Sequence, residues 1–466
     1  MAPSLASLIC ACGICGLLYL DRDKTMRTSK ALWLPILWLW FIGSRPLSFW
    51  LGMSPPSGDN VQLNGSPVDA AAFGLLLAIG VVVLVQRRSR TCDYLKANWP
   101  IMLYFLYCLI SVAWSYHSDV AFKRWIKAIG DPVMILVVVT DDHPAAALSS
   151  LISRVGFVLC PVSVLFIKYY GALGRAYTPV GEPMNTGVTS NKNMLGVIVF
   201  VISLYTLRRV VTLVRDRGQR ARRRHLLAQG TLLAFGIALL QMADSDTSTA
   251  CFILGAVFVV ATGFRAIKGR PSRIHLLCLT MFLLAGLTLL LGGESDVVHA
   301  MGRKPGLSGR TEIWAALTSV DRNPVFGAGF ESFWIGPGEQ RFQSLLKAEG
   351  WWHPEDLNEA HDGYLEVYLE LGWLGVGLIS LILMRGYKSA VAAFRRDSSL
   401  GGLMLAYIVT SAAYSITEAG FRMLDPIWFF LLLAMFSASA IQMGRMGTAT
   451  KSPHWLKGNH RVSVPA

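Results

Sequence analysis

Apolar runs long enough to cross a bilayer recur along this chain from Ser4 to about residue 443, separated by short polar or basic stretches. A spanning helix needs roughly 20 mostly apolar residues. Backbone that faces lipid must satisfy its own hydrogen bonds, so each run is predicted to be helical. The runs are 4–20, 31–51, 70–86, 98–115, 119–140, 146–168, 193–210, 226–242, 249–264, 274–292, 365–384, 400–418 and 426–443. Two carry internal breaks, Gly43-Ser44-Arg45-Pro46 and Gly130-Asp131-Pro132, and are expected to kink there. With 53% hydrophobic and 15% charged residues and a mean hydropathy of +0.47, a soluble globular class is excluded.

The expected fold is an all-α polytopic membrane helical bundle of about 12–13 spans, with one long outward loop that contains short helices. It divides into N-terminal membrane helices (1–292), the loop (293–364), C-terminal membrane helices (365–443) and a tail (444–466).

Charge sets the orientation. Of the 43 Lys and Arg residues, 29 fall in clusters at 21–30, 87–96, 208–224, 265–273, 385–396 and 445–461, together with Arg154, all on the same alternating side of the spans. Positive-inside sorting makes that side cytoplasmic, with the N-terminus outside and the C-terminal tail inside. The net charge of +14 is therefore topology control, and no nucleic-acid partner is expected. The first segment carries its charges after the apolar run, so it reads as a span that stays rather than a leader. The eight cysteines lie almost entirely inside apolar runs, Cys12 and Cys15 included, and behave as small hydrophobes rather than a disulfide framework.

The remaining basic residues fall on the outward side, among them Lys123, Arg124, Arg175, Lys192, Arg303, Lys304, Arg310 and Arg422. Insertion gives no reason to place cations there, whereas an anionic headgroup does. Ser308 to Val320 reads as an N-cap and a short helix with Arg310 in its first turn, where guanidinium and free backbone N–H groups can converge on an anion. A second loop helix is expected around 339–348. From about Asp362 the loop runs into the next span, which places His361 at the positive end of a membrane helix and predicts a neutral ring able to accept a proton. The stretches 168–177 and 186–196 bring Arg175, Lys192 and Asn193 to the same surface, in a pocket shared with Lys123, Arg124 and Arg310. His353 and His361 stand eight apart and make no metal cluster, and Glu418 and Asp425 read as helix-end groups or partners for Arg422.

Three motifs, G-R-x-x-x-W at 309–314, N-P-V-F-G-A-G-F at 323–330 and A-H-D-G-Y-L-E-V-Y-L-E-L-G-W-L-G at 360–375, closely resemble the outer loop of the O-antigen ligase/O-antigen polymerase superfamily. G-V-T-S-N-K-N-M-L-G at 187–196 resembles that family's earlier motif, and the stretch around 158–177 looks like its exopolysaccharide-production branch. The resemblance implies a periplasmic active site in a bacterial inner membrane and an undecaprenyl-diphosphate-linked glycan as donor. It further implies a saccharide hydroxyl as acceptor, no cofactor or metal, and possible partnership with other polysaccharide assembly proteins. It assigns the catalytic role to His361, with Arg310, Arg175, Lys192, Asn193 and Arg124 binding substrate. Many members have Asn where this chain has Asp362, which leaves open whether Asp362 or a neighbour supports the imidazole. The competing reading from another class is a polysaccharide or lipid-linked glycan transporter or flippase, which predicts ionisable groups at mid-membrane.

Overall fold

The computed structural model describes residues 2–22, 27–53, 65–177, 181–215, 222–264, 266–267, 270, 272–280, 310–348, 350 and 357–447. Arg303, Lys304, Ser308 and His353, the first part of the loop, most of the 274–292 run and nearly all of the tail lie outside them.

The described residues are helical almost throughout. In chain order the helices are α1 (Pro3–Leu20), α2 (Trp33–Ile42), α3 (Leu47–Trp50), α4 (Pro67–Gln86), α5 (Arg88–Ala97), α6 (Trp99–Ser111), α7 (Ser118–Ala128), α8 (Gly130–Val139), α9 (Pro144–Tyr169) and α10 (Gly171–Gly174). They continue as α11 (Lys192–Arg215), α12 (Arg222–Ala243), α13 (Asp246–Ala261), α14 (Arg310–Ser319), α15 (Pro337–Ala348), α16 (Gly363–Arg396), α17 (Ser398–Tyr414) and α18 (Pro426–Gln442). Between α10 and α11 one antiparallel ribbon pairs β1 (Arg175–Tyr177) with β2 (Pro183–Asn185).

Among the described residues, six helices are long and apolar enough to cross a membrane: α1, α4, α9, α11, α12 and α16. A seventh candidate is the bent pair formed by α5 and the helix from Trp99 to Trp114, which meet at 86°. The 98–115 run is thus the apolar arm of a bent pair, and the 31–51 and 119–140 runs break where the sequence predicted, between α2 and α3 and between α7 and α8. Helices α13, α17 and α18 and the stretch Lys30–Ile42 are apolar but shorter. Every residue of α18 from Pro426 to Ile441 is buried, as befits a helix apolar on all sides at the centre of a bundle. In α1 and α4, by contrast, Leu8, Ile9, Val82 and Val85 are exposed, the pattern of a lipid-facing rim.

Helix α16 is broken at Gly372, whose backbone (φ 61°, ψ −165°) is one that side-chain-bearing residues rarely adopt. A broken helix frees carbonyls and amides that must find partners. The N-P-V-F-G-A-G-F stretch supplies them. Ala328 and Gly329 donate to the carbonyls of Leu369 (3.0 Å) and Glu370 (2.7 Å), while Trp373 and Leu374 donate to those of Pro324 (2.9 Å) and Val325 (3.3 Å). Gly327 and Gly372 permit the close approach, because a Cβ on Gly327 would strike the Glu370 backbone and one on Gly372 the Val325 carbonyl.

The rest of the loop carries its own small core. Ile313, Leu317 and Val320 of α14 and its exit pack with Phe333, Trp334, Phe342 and Leu346 against Leu369 of α16. Burial of several such side chains, each contributing about 1.5–3 kcal/mol, fixes the loop body on the end of the bundle and so fixes the position of the residues before α16.

Candidate active site

Three interactions set the peptide that precedes His361. Glu366, buried one turn into α16, accepts the amide of Ala360 on one oxygen (2.9 Å) and the indole N–H of Trp334 on the other (2.7 Å). The Ala360 carbonyl accepts the indole N–H of Trp314 (2.9 Å). Both polar groups of one residue are thereby held by the loop body and the span together. His361 then turns through a left-handed backbone (φ 49°), a strained conformation for a residue with a side chain, and Asp362 starts α16 by accepting the amides of Tyr364 (2.8 Å) and Leu365 (2.9 Å). Asp362 is a helix cap. The groups that meet the imidazole are its neighbours.

His361 Nδ1 lies 3.0 Å from Glu359 Oε1 and 3.4 Å from Glu418 Oε2. Glu418, nearly buried in the turn after α17, holds Arg310 Nη2 on its other oxygen at 2.7 Å, and that oxygen also accepts the Asn193 amide at 3.2 Å. Arg422 reaches Glu359 at 3.4 Å and Glu366 at 3.6 Å. Among the described residues, Nε2 of His361 has no hydrogen-bond partner.

Burial alone would lower the proton affinity of the ring, but the hydrogen bonds and negative charges of Glu359 and Glu418 outweigh it and raise the His361 pKa to about 9. The neutral ring expected from the helix terminus is therefore corrected: two carboxylates in contact overrule a dipole equivalent to about half a charge. Burial likewise pushes Glu359 up, yet the hydrogen bond and charge of His361, with Arg422 and Arg310, leave it below the usual carboxylate range. Arg422 would lose proton affinity through burial and instead gains it from Glu366, Glu331, Glu359 and Glu370.

The structure brings His361, Arg310 and Asn193 together through Glu418. The other cations of the expected pocket contact different groups. Lys192 donates to the Asp244 carbonyl (3.2 Å), Arg175 to that of Ile167 (3.1 Å) while its strand pairs with β2, and Arg124 to that of Glu331 (2.6 Å), with its carboxylate at 3.7 Å. Asp425 is the helix-end group that one reading of the sequence gave, capping α18 by accepting the amide of Ile427 (2.8 Å), whereas Glu418 pairs with Arg310 rather than Arg422. The trio Glu359, His361 and Glu418 also brings three potential metal-ligand atoms within 4.8 Å of one another, a grouping that histidine spacing alone did not reveal. Arg310 and Arg422 already neutralise these carboxylates, so a cation entering there would compete with two guanidinium groups.

The sequence signal for Glu359 was its place two residues before His361. Glu418 had only the faint signal of an acid at the loop end of an apolar run.

Comparison with curated proteins finds no match. A family model described as O-Antigen ligase matches residues 230–380, which contain Arg310, Trp314, the stretch docked on the α16 break, and His361. Asn193, Glu418 and Arg422, which complete the cluster, come from outside the matched segment. The chain is a multi-pass, all-α membrane protein whose residues 230–380 are similar to the O-antigen ligase family.

Proposed function

We propose that this protein transfers a saccharide from an undecaprenyl-diphosphate-linked donor to a saccharide hydroxyl, in O-antigen or exopolysaccharide polymerisation or ligation, at the periplasmic face of a bacterial inner membrane. One observation carries the reading: His361 is pinned at Nδ1 by two carboxylates, and its Nε2 has no partner among the described residues.

In this reading Nε2 takes the proton of the acceptor hydroxyl as its oxygen attacks the anomeric carbon. The bond from that carbon to the diphosphate oxygen breaks, and the diphosphate leaves with the electron pair. Direct displacement inverts the anomeric carbon. Glu359 and Glu418 stabilise the imidazolium that forms, as a carboxylate does for any histidine base it holds at Nδ1. A positioned base contributes about 10²- to 10⁴-fold. Arg310 faces the growing negative charge on the diphosphate, with donors beyond the one given to Glu418. Asn193 and Lys192 flank the donor's path, and Arg175 and Arg124 add positive potential around it.

A transporter or flippase would keep ionisable groups open to a path through the bundle. Of the buried acids, Asp131 is taken by Trp38 (2.8 Å) and the Leu424 amide (3.3 Å) and Glu366 by Trp334 and Ala360, while Glu370 keeps one oxygen without a partner among the described residues.

The test is His361→Ala in vesicles supplied with lipid-linked glycan. Product should vanish while the protein still accumulates in the membrane, and chelator treatment of the wild type should leave its rate unchanged. Undiminished product from the variant would overturn the role of the base, and loss on chelation would hand the Glu359–His361–Glu418 trio to a divalent cation.

A further inference from the structure

Away from the histidine cluster, the loop body has an open pocket of about 240 Å³ where Trp114, Tyr116 and Phe333 meet Asp321, Arg322 and Asn323. Below the roughly 300–1,000 Å³ of a drug-sized cavity, it suits one or two sugar rings. Trp114 packs at a tilt against Tyr107 and edge-on against Phe326 (ring centroids 6.2 and 5.8 Å) yet is 38% exposed. The neighbouring Tyr116 is tied at its amide to Ser332 Oγ (3.2 Å), and its side chain is left open to solvent. A Cβ at Gly338 would lie 2.7 Å from the Phe333 ring, so glycine lets α15 close tightly on that wall.

The polar side of the pocket is equally fixed. Asn323 spends its carbonyl oxygen on the amides of Val325 (2.9 Å) and Phe326 (3.1 Å), and its NH₂ has no partner among the described residues. Arg322 is clamped by the Leu317 and Val320 carbonyls (2.8 Å each) and lies 4.5 Å over the Tyr368 ring, while its buried Nε has no partner among the described residues. The Asp321 carboxylate is solvated, with Arg341 at 4.0 Å.

We propose that this pocket is a subsite for a saccharide ring of the glycan chain, away from the bond being made. Aromatic faces pack against the C–H faces of a pyranose, and fixed amide, guanidinium and carboxylate groups take its hydroxyl edge. An aromatic interface anchor would explain Trp114 and Tyr116, but not three polar side chains converging on the same pocket. The position suits a chain that extends from the reacting centre. Phe333, on the pocket wall, adjoins Trp334, which shares Glu366 with the Ala360 amide beside His361.

The inference rests on the transferase reading, and the experiment separates the two. Full-length protein in vesicles is given the host's own lipid-diphosphate-linked glycan, in single-repeat and polymer-length fractions, and the length of donor and acceptor is varied in turn. In the double variant Tyr116→Ala/Asp321→Ala, KM for the long fraction should rise about tenfold, with kcat and the single-repeat KM unchanged, and Tyr116→Phe should match the wild type. The length series that responds tells whether the donor chain or the acceptor chain occupies the pocket. Unchanged KM in both series, or an equal loss with single repeats, would overturn the subsite. Saturation-transfer NMR with delipidated polymer fragments reads binding without turnover. If the wild type transfers nothing but gives a signal that the double variant loses, the transferase reading fails and the subsite stands; if that signal survives in the variant, the subsite falls.

Discussion

Trp314 donates its indole N–H to the carbonyl of Ala360 at 2.9 Å, so a helix at the start of the described loop sets the peptide from which His361 projects. Trp314→Phe keeps the ring and removes only that bond. The net stability cost should be about 1 kcal/mol, with kcat reduced several-fold and donor KM unchanged, because the base is misplaced and the binding groups are not. Steady-state kinetics on the reconstituted variant check this split.

Arg310 and Glu418 form a nearly buried pair in which each is needed to make the other tolerable. Arg310→Ala should destabilise by up to about 3–5 kcal/mol, the cost of leaving a buried charge with one partner fewer. The double variant Arg310→Met/Glu418→Leu should recover much of that loss in a thermal unfolding assay. It should remain inactive, since the guanidinium that meets the diphosphate is gone.

The His361 cluster ties stability to pH. Its pKa is raised from 6.5 to about 9, so the stability this imidazolium contributes is fully present below about 6.5 and is lost as pH climbs through about 9. Glu359 is depressed, so its contribution is present above 4.5 and fades as pH falls through its lowered folded value. Melting temperatures of solubilised protein should therefore decline between pH 6.5 and 9.5, and Glu359→Gln should flatten that decline. A flat wild-type profile would contradict the ion-pair geometry.

The break in α16 gives a contrast between two glycines of one helix. A Cβ on Gly372 would enter the Val325 carbonyl at a positive φ, whereas one on Gly377 meets nothing within 4 Å. Gly372→Ala should cost at least the roughly 1–3 kcal/mol of an overpacked site and undock the loop, lowering both accumulation and transfer. Gly377→Ala should behave as wild type. Fluorescence size-exclusion profiles of the two variants decide the matter.

Much of this architecture was legible in the residues. Apolar runs placed the helices, Gly43 to Pro46 and Gly130 to Pro132 marked two breaks, and the motifs around Arg310 and His361 marked the loop. The α16 break was hidden because E-L-G-W-L-G remains apolar through Gly372, and hydropathy is blind to backbone conformation. The carboxylates were harder still. Glu418 lies 57 residues beyond His361, and only the return of the chain from α17 carries it to the imidazole. The charge state expected for His361 failed for the same reason: the helix end is a local feature that sequence displays, while the two acids that outweigh it are a tertiary one.

The most direct test of the base is the pH dependence of glycan transfer in vesicles. With a pKa of about 9, two units above neutrality, only about one ring in a hundred is unprotonated at pH 7. The rate should climb roughly tenfold per pH unit toward a plateau near 9, and Glu359→Gln should move that plateau to lower pH. A rate that is flat over this range, or that falls as the ring loses its proton, would show that His361 does not take the proton from the acceptor.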